Sequence, residues 1–223
     1  MSLYLLGECS QGIANSYPVQ NTLTTDQGTV QFEGPVTFEH LRQLSFCESL
    51  NNFRPAQKQK IALETLAGDP DGMVFIARFE ETIIGYVTFH DPDFPWWKNA
   101  GVKGLVELGG LEIAPSWRGS GVSSAFFKSL FDNEQYAYFN DKIVMNIQTI
   151  HCWDLCNSNK SPWGYRDMMK GMLGKYGFQV EHTADPEIRE HLANMLMVRM
   201  GENVSRESKE AFLTHCTSSN RMF

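Results

Sequence analysis

Between Glu107 and Phe127 the chain reads ELGGLEIAPSWRGSGVSSAFF, a segment that combines two kinds of chemistry. Arg118-Gly119-Ser120-Gly121 puts small residues where backbone amides can approach a ligand closely, just ahead of an amphipathic run that opens with Val122 and Ser123. A helix begun there offers unpaired N–H groups and the positive end of its dipole, a setting for an anion such as a pyrophosphate. Arg118 adds a charged, forked donor. Upstream, Glu107 and Glu112 lie on what reads as a strand. Partial burial raises a carboxylate's pKa toward working pH, so either can serve as a general base. Regular alternation sends positions five apart to opposite faces. A one-residue bulge at Gly109-Gly110 would return both to one face, and glycine inside a strand often marks a bulge.

Other glycine motifs fit this stretch less well. A phosphate loop of the Walker type needs Gly-Lys-Ser/Thr at its end, where the chain has Gly121-Val122-Ser123. A dinucleotide fingerprint finds Ser124 in place of its third glycine, and His151 where an acid belongs after the next strand. A nucleophile elbow wants glycine two before and two after the serine, and Arg118 and Val122 stand there. Cys9, Cys47, Cys152, Cys156 and Cys216 are odd in number and scattered, so they read as reduced thiols. Cys152 and Cys156 beside His151 lack a second ligand pair, and no metal is expected.

The surrounding elements alternate between strands and helices. Gly28 to Glu33 reads as a short strand, and Thr37 as the cap of a helix carrying Phe38, Leu41 and Leu44. Arg54-Pro55 opens a second helix that ends at Gly68. Met73 to Phe79 and Thr82 to Phe89 form a hairpin across Glu80-Glu81. Asp91 to Ala100, with Trp96 and Trp97, is a loop whose aromatics either pack on the core or flank an entrance. Leu105 to Ala114 is a central strand, Val122 to Phe131 a helix, Ile143 to Ile150 a strand and Trp163 to Tyr176 a helix ending at Gly177. Phe178 to Glu181 and Met195 to Met200 are strands, and Ser205 to Leu213 a capped terminal helix. The first 25 residues are polar and aperiodic, either a loose leader or a strand laid on later structure. Residues 26–223 then make one mixed α/β domain.

With 223 residues, 42% of them apolar, the chain has material for a sizeable core. Its net charge is −7, and no run of Lys and Arg marks a nucleic-acid surface. The longest apolar runs fall short of the roughly 20 residues that span a bilayer. The N-terminus has no positive region of the kind that opens a signal peptide, so a cytoplasmic location is expected, without nucleic-acid or membrane partners.

Arg118-Gly-Ser-Gly121-Val-Ser123 resembles the [Q/R]-x-x-G-x-[G/A] loop of the GCN5-related N-acetyltransferases, with Ser123 in place of the last small residue. Further segments, among them FEGPVT, NNFRP, ELGGLEIAPSWRG, YRDMMKGM and ANMLMVRMGENVS, resemble the bacterial acetoin-utilisation acetyltransferases from about residue 28 to 210. The resemblance implies a mostly antiparallel central sheet with helices on both faces. It also implies acetyl-CoA as co-substrate, held at Ile113, Ala114, Arg118, Gly119, Ser120, Gly121, Val122 and Ser123. The implied activity is acetyl transfer to a protein lysine, with acetyl-CoA synthetase as the known target class. A small-amine acetyltransferase and an acetyl-CoA-binding regulatory module are the alternatives. By the superfamily's spacing, Glu107 ranks first as general base and Glu112 second. The tyrosine that usually protonates the leaving thiolate is replaced by Leu173, which leaves Tyr165 and Tyr176 as substitutes. Asp154 follows the strand that splays from the cofactor strand, where it would suit an incoming lysine, and His90 ends its own strand.

Overall fold

The sheet begins earlier than the apolar pattern announces. In the computed structural model, which describes residues 19–98, 100–134 and 136–218, β1 (Val19–Thr25) pairs antiparallel with the whole of β2 (Gly28–Gly34). The end of the leader thus takes the strand form, and the boundary expected after residue 25 falls in the turn of this hairpin. Residues 1–18 lie outside the described residues. β1 is an edge strand with only Val19 buried, so backbone pairing holds it without an apolar alternation.

Side-chain caps set several of the helix starts. The Thr37 hydroxyl accepts the His40 N–H and opens α1 (Phe38–Gln43), which the two-residue β3 (Ser45–Phe46) follows. Arg54-Pro55 leads into α2 (Ala56–Ala67), closed by Gly68. β4 (Met73–Phe79) and β5 (Thr82–His90) form the expected hairpin, and the Asp91–Ala100 loop contains a single turn, α3 (Pro95–Lys98). Next come β6 (Leu105–Ile113), α4 (Val122–Phe131), β7 (Ile143–Gln148), the one-turn α5 (Leu155–Ser158) and α6 (Pro162–Gly174). The chain then closes with β8 (Gln179–Glu181), α7 (Pro186–Arg189), β9 (Met195–Met200) and α8 (Arg206–Thr217).

The strand order is β1-β2-β4-β5-β6-β7-β9-β8, with β3 paired parallel to the start of β5. Apart from that contact and the parallel β6–β7 pair, every pairing is antiparallel. Alternation in β7 and β9 distributes their side chains to two cores. Ile143, Met145, Leu196 and Val198 pack with Trp96, Trp97 and Phe212 of α8. Val144 and Met197 join the larger core of Phe32, Phe75, Phe89, Phe126 and Leu173. The fold is therefore mixed α/β, with a mostly antiparallel sheet and helices on both faces. Trp97 stacks on Phe212 at 5.5 Å and donates its indole N–H to Asp185 Oδ2 at 2.7 Å. A tryptophan buries on the order of 150–250 Å², so the tryptophan pair serves packing rather than an entrance. No helix among the described residues is long and apolar enough to cross a membrane.

Candidate active site

The diglycine of β6 is a bulge. His90 pairs with Glu107 and Phe89 with Leu108, but Val87 pairs with Leu111 and Tyr86 with Glu112, so Thr88 alone faces Gly109 and Gly110. The Thr88 hydroxyl accepts the Gly110 N–H at 2.7 Å. Because Tyr86 and His90 share a face of β5, their partners Glu112 and Glu107 share a face of β6. A side chain at residue 109 would collide with His90, since its Cβ would lie 2.5 Å from the imidazole Nε2.

The two glutamates differ in what surrounds them. Glu112 accepts the Asn52 N–H at 2.9 Å and the Tyr86 hydroxyl at 2.7 Å, so its buried carboxylate ties a loop to the sheet. Glu107 is 4% exposed, and its Oε2 has no hydrogen-bond partner among the described residues. Burial raises its pKa to about 8, the charges of Asp93 and Glu187 add to the rise, and a backbone N–H bond from Asp93 opposes it. The carboxyl faces a cavity of about 620 Å³ with His90, Asp93, Glu187, Trp153 and Tyr165 in its wall. The charge there is one-sided. Asp69, Asp71, Asp91, Asp93, Glu107 and Glu187 line it against Arg54.

Beside Glu107 the sheet opens. β6 and β7 stay paired only as far as Glu107 and Met145. Past that point the Asn146 amide donates to the Leu108 carbonyl at 2.7 Å, Gln148 donates to Asn146, and the Trp153 indole donates to Gln148. This buried relay carries the splay from the strands to Trp153, which stacks on Tyr165 with ring centroids 5.2 Å apart. Tyr165 also has its pKa raised by burial, and its hydroxyl takes a bond from the Asp154 backbone. Tyr176 lies elsewhere, its hydroxyl donating to the Ser124 carbonyl at the start of α4.

The glycine loop follows β6 through a 3-10 turn at Pro115–Trp117. Gly119 (φ 83°) and Gly121 (φ 87°) take left-handed conformations that favour glycine. Among the described residues, nothing lies within 4 Å of a Cβ placed on Gly119, and one placed on Gly121 would meet only Leu23, at 3.9 Å. α4 has no side-chain cap, so the first amides at Val122 and Ser123 are left for a ligand. Ser120 turns its hydroxyl inward to the Trp117 carbonyl. These features fit a pyrophosphate: open space, left-handed glycines and an uncapped helix start.

Four of the expected site residues are already engaged within the protein. Arg118 donates from Nε to the Ile113 carbonyl at 2.9 Å and pairs with Asp154 Oδ2 at 2.7 Å, so its fork faces the strand end. Asp154 is buried, and its carboxylate also caps α5 at Asn157. Burial would raise its pKa, but the bonds from Arg118 and Asn157 bring it below the usual value. Ile113 spends its carbonyl on Arg118, and the Ala114 N–H donates to Ile84. The sequence does not reveal Asp93 and Glu187 as neighbours of Glu107, because a loop and a distant helix bring them there. Among the described residues, Cys47, Cys152, Cys156 and Cys216 are free, and the one gathering of three potential metal ligands is His90, Asp93 and Glu107.

Comparison with known proteins agrees with this geometry. The acetyltransferase (GNAT) family model matches residues 38–138. The chain is 41% identical over 192 residues to the acetoin utilization protein AcuA of Bacillus licheniformis, covering 85% of this chain and 90% of that protein. The AcuA of Bacillus subtilis is 40% identical over the same coverage. The crystal structure of an acetoin utilization protein from Exiguobacterium sibiricum superposes with a TM-score of 0.80 at 33% identity, covering 89% of this chain and 93% of that one. With a bulged strand beside a splay, an uncapped glycine loop and identity at this level, the chain belongs to the acetoin utilization proteins of the GNAT family and is an acetyl-CoA-dependent N-acetyltransferase.

Proposed function

We propose that the acceptor is a lysine ε-amine on a folded protein, with acetyl-CoA synthetase as the target, and that Glu107 is the general base. The observation that carries this reading is the buried, unpartnered Glu107 Oε2 at the wall of an acidic cavity beside the splay. An ammonium has no lone pair and a free lysine has a pKa of about 10.4, so the amine must lose a proton before it attacks. Carboxylates around the cavity draw a cationic side chain in, and Glu107 takes its proton. Acetyl-CoA supplies an activated thioester carbonyl and a fair leaving group.

The remaining roles fall to residues around the same opening. Gly119, Gly121, Val122 and Ser123 hold the pyrophosphate through backbone amides. Arg118 positions that loop through Ile113 and Asp154 rather than contacting the anion. Tyr165 receives a backbone bond at its oxygen and keeps its own proton to give to the departing thiolate, so it is the acid of this reading. The resemblance to acetoin-utilisation acetyltransferases supplies acetyl-CoA synthetase as the acceptor. The free thiols suit a reducing compartment, and the proposal places the enzyme in the cytoplasm.

A small polycation would also suit an acidic cavity of about 620 Å³, which keeps a small-amine acetyltransferase as the second reading. Thiol release from acetyl-CoA, measured against purified acetyl-CoA synthetase and a panel of free amines with mass spectrometry of lysines, separates the two. Lysine acetylation of the synthetase with little turnover of the amines is the expected result. Rapid turnover of spermidine with no modified lysine would overturn it.

A further inference from the structure

We propose that His90, Asp93 and Glu107 form a binding site for a divalent transition-metal ion of the zinc class, and that the bound ion silences the transferase by occupying the Glu107 carboxylate. The three side chains each offer a ligand atom, and these atoms lie within 4.8 Å of one another. Glu107 brings a buried oxygen that nothing among the described residues satisfies, which is costly unless a cation or a proton meets it.

His90 is prepared as a ligand. Its Nδ1 lies 2.7 Å from the Asp91 carbonyl, which can only accept, so the proton sits on Nδ1 and the Nε2 lone pair is free. A carbonyl partner on one ring nitrogen is the usual arrangement that fixes the tautomer of a metal-binding imidazole. That Nε2 is turned toward β6, within 2.5 Å of where a Gly109 Cβ would lie, and Gly109 is two residues from Glu107. Glycine at 109 is what lets the imidazole come so close.

Asp93 completes the set from the exposed turn that follows β5, while its backbone N–H already holds the Glu107 carboxyl. Zinc with three protein ligands at about 2.0–2.2 Å leaves a fourth position for water, and the exposed Asp93 side chain can rotate inward to reach that distance. One imidazole and two carboxylates favour zinc, manganese or nickel over magnesium, which keeps its waters. The surroundings add to the attraction, because Glu187 faces Glu107 as well. Cys152 and Cys156 do not join the site.

The inhibitory half rests on Glu107 as the base, whereas the binding half stands by itself, and the experiment keeps them apart. Metal-stripped enzyme is titrated by calorimetry with zinc chloride and, in parallel, magnesium chloride. One zinc per chain at micromolar affinity is expected, with magnesium at least 100-fold weaker. Asp93→Asn and His90→Gln should each weaken zinc at least tenfold, and the Cys152→Ser, Cys156→Ser double variant should bind as the parent does. Cobalt(II) bound in place of zinc should show ligand-field bands without a thiolate charge-transfer band. Zinc should stop turnover, a chelator should restore it, and the zinc concentration needed should rise in Asp93→Asn.

Absence of stoichiometric zinc, a thiolate band, or unchanged zinc affinity in both Asp93→Asn and His90→Gln would overturn the site. Stoichiometric zinc with undiminished turnover would overturn the inhibition. Glu107→Gln distinguishes the two readings of that residue. Lost zinc binding with normal turnover means the ion site stands and the base fails, whereas lost turnover in a parent that binds no zinc means the reverse.

Discussion

Arg118 and Asp154 meet at 2.7 Å, so the loop before α4 is stapled to the start of α5 by an ion pair. On the proposed reading, this pairing has Asp154 support the cofactor loop rather than contact the acceptor. Asp154→Ala should raise the dissociation constant of acetyl-CoA about tenfold, since hydrogen bonds to charged groups contribute about 1.5–3 kcal/mol. The acceptor KM should move less than about twofold. Calorimetry with acetyl-CoA and steady-state kinetics on the acceptor check both. A rise confined to the acceptor KM would return Asp154 to the acceptor side.

Gly121 tests the loop itself. Its φ of 87° costs an L-residue about 1–2 kcal/mol, so Gly121→Ala and Gly121→Glu should lose similar stability. Only Gly121→Glu also places a negative charge at the proposed pyrophosphate site. It should abolish acetyl-CoA binding, while Gly121→Ala should keep measurable affinity in the same calorimetric titration.

Gly109→Ala should cost about 1–3 kcal/mol of stability through overpacking, because its Cβ would arrive 2.5 Å from His90 Nε2. Turnover should fall by more than the stability loss explains, since relieving the clash shifts the bulge beside Glu107. Chemical denaturation and kinetics on the same sample separate the two effects.

Much of this architecture was legible in the sequence. Val122–Phe131 and Met195–Met200 carry strong apolar patterns, and the structure sets the same bounds. The diglycine announced the bulge, because glycine in a strand has few other uses. β1 was ambiguous because its faces are polar, and Ser45–Phe46 and the single turns α3, α5 and α7 are too short for any period to show. Within the site, residue types pointed to Glu107 but not to its neighbours. Asp93 and Glu187 reach it from a turn and from α7, a juxtaposition that only the folded chain makes. The pairing of Arg118 with Asp154 was hidden for a similar reason, since the two lie 36 positions apart, on either side of the splay.

Burial of Glu107 also has a consequence for stability. Its pKa stands near 8 in the fold against an ordinary value of 4.5, so the folded state holds the proton more tightly than the unfolded chain. The penalty of the buried charge is absent below pH 4.5 and grows as pH rises toward about 8. Glu107→Gln carries no such penalty, so its melting temperature should gain on the parent as pH rises from about 5 to 8. An equal difference at both pH values would mean that Glu107 titrates normally.

The most direct measurement is turnover of Glu107→Gln beside Glu112→Gln, with acetyl-CoA binding measured on both proteins. Gln keeps the shape but cannot take the proton, so Glu107→Gln should bind acetyl-CoA as the parent does and lose about 10²–10⁴-fold in turnover. That loss should shrink at high pH, where free amine becomes abundant. Glu112, held by Asn52 and Tyr86, should show a smaller kinetic loss and a larger stability loss on the same change. Near-normal turnover in Glu107→Gln, or a larger kinetic loss in Glu112→Gln, would contradict the assignment of Glu107 as the base.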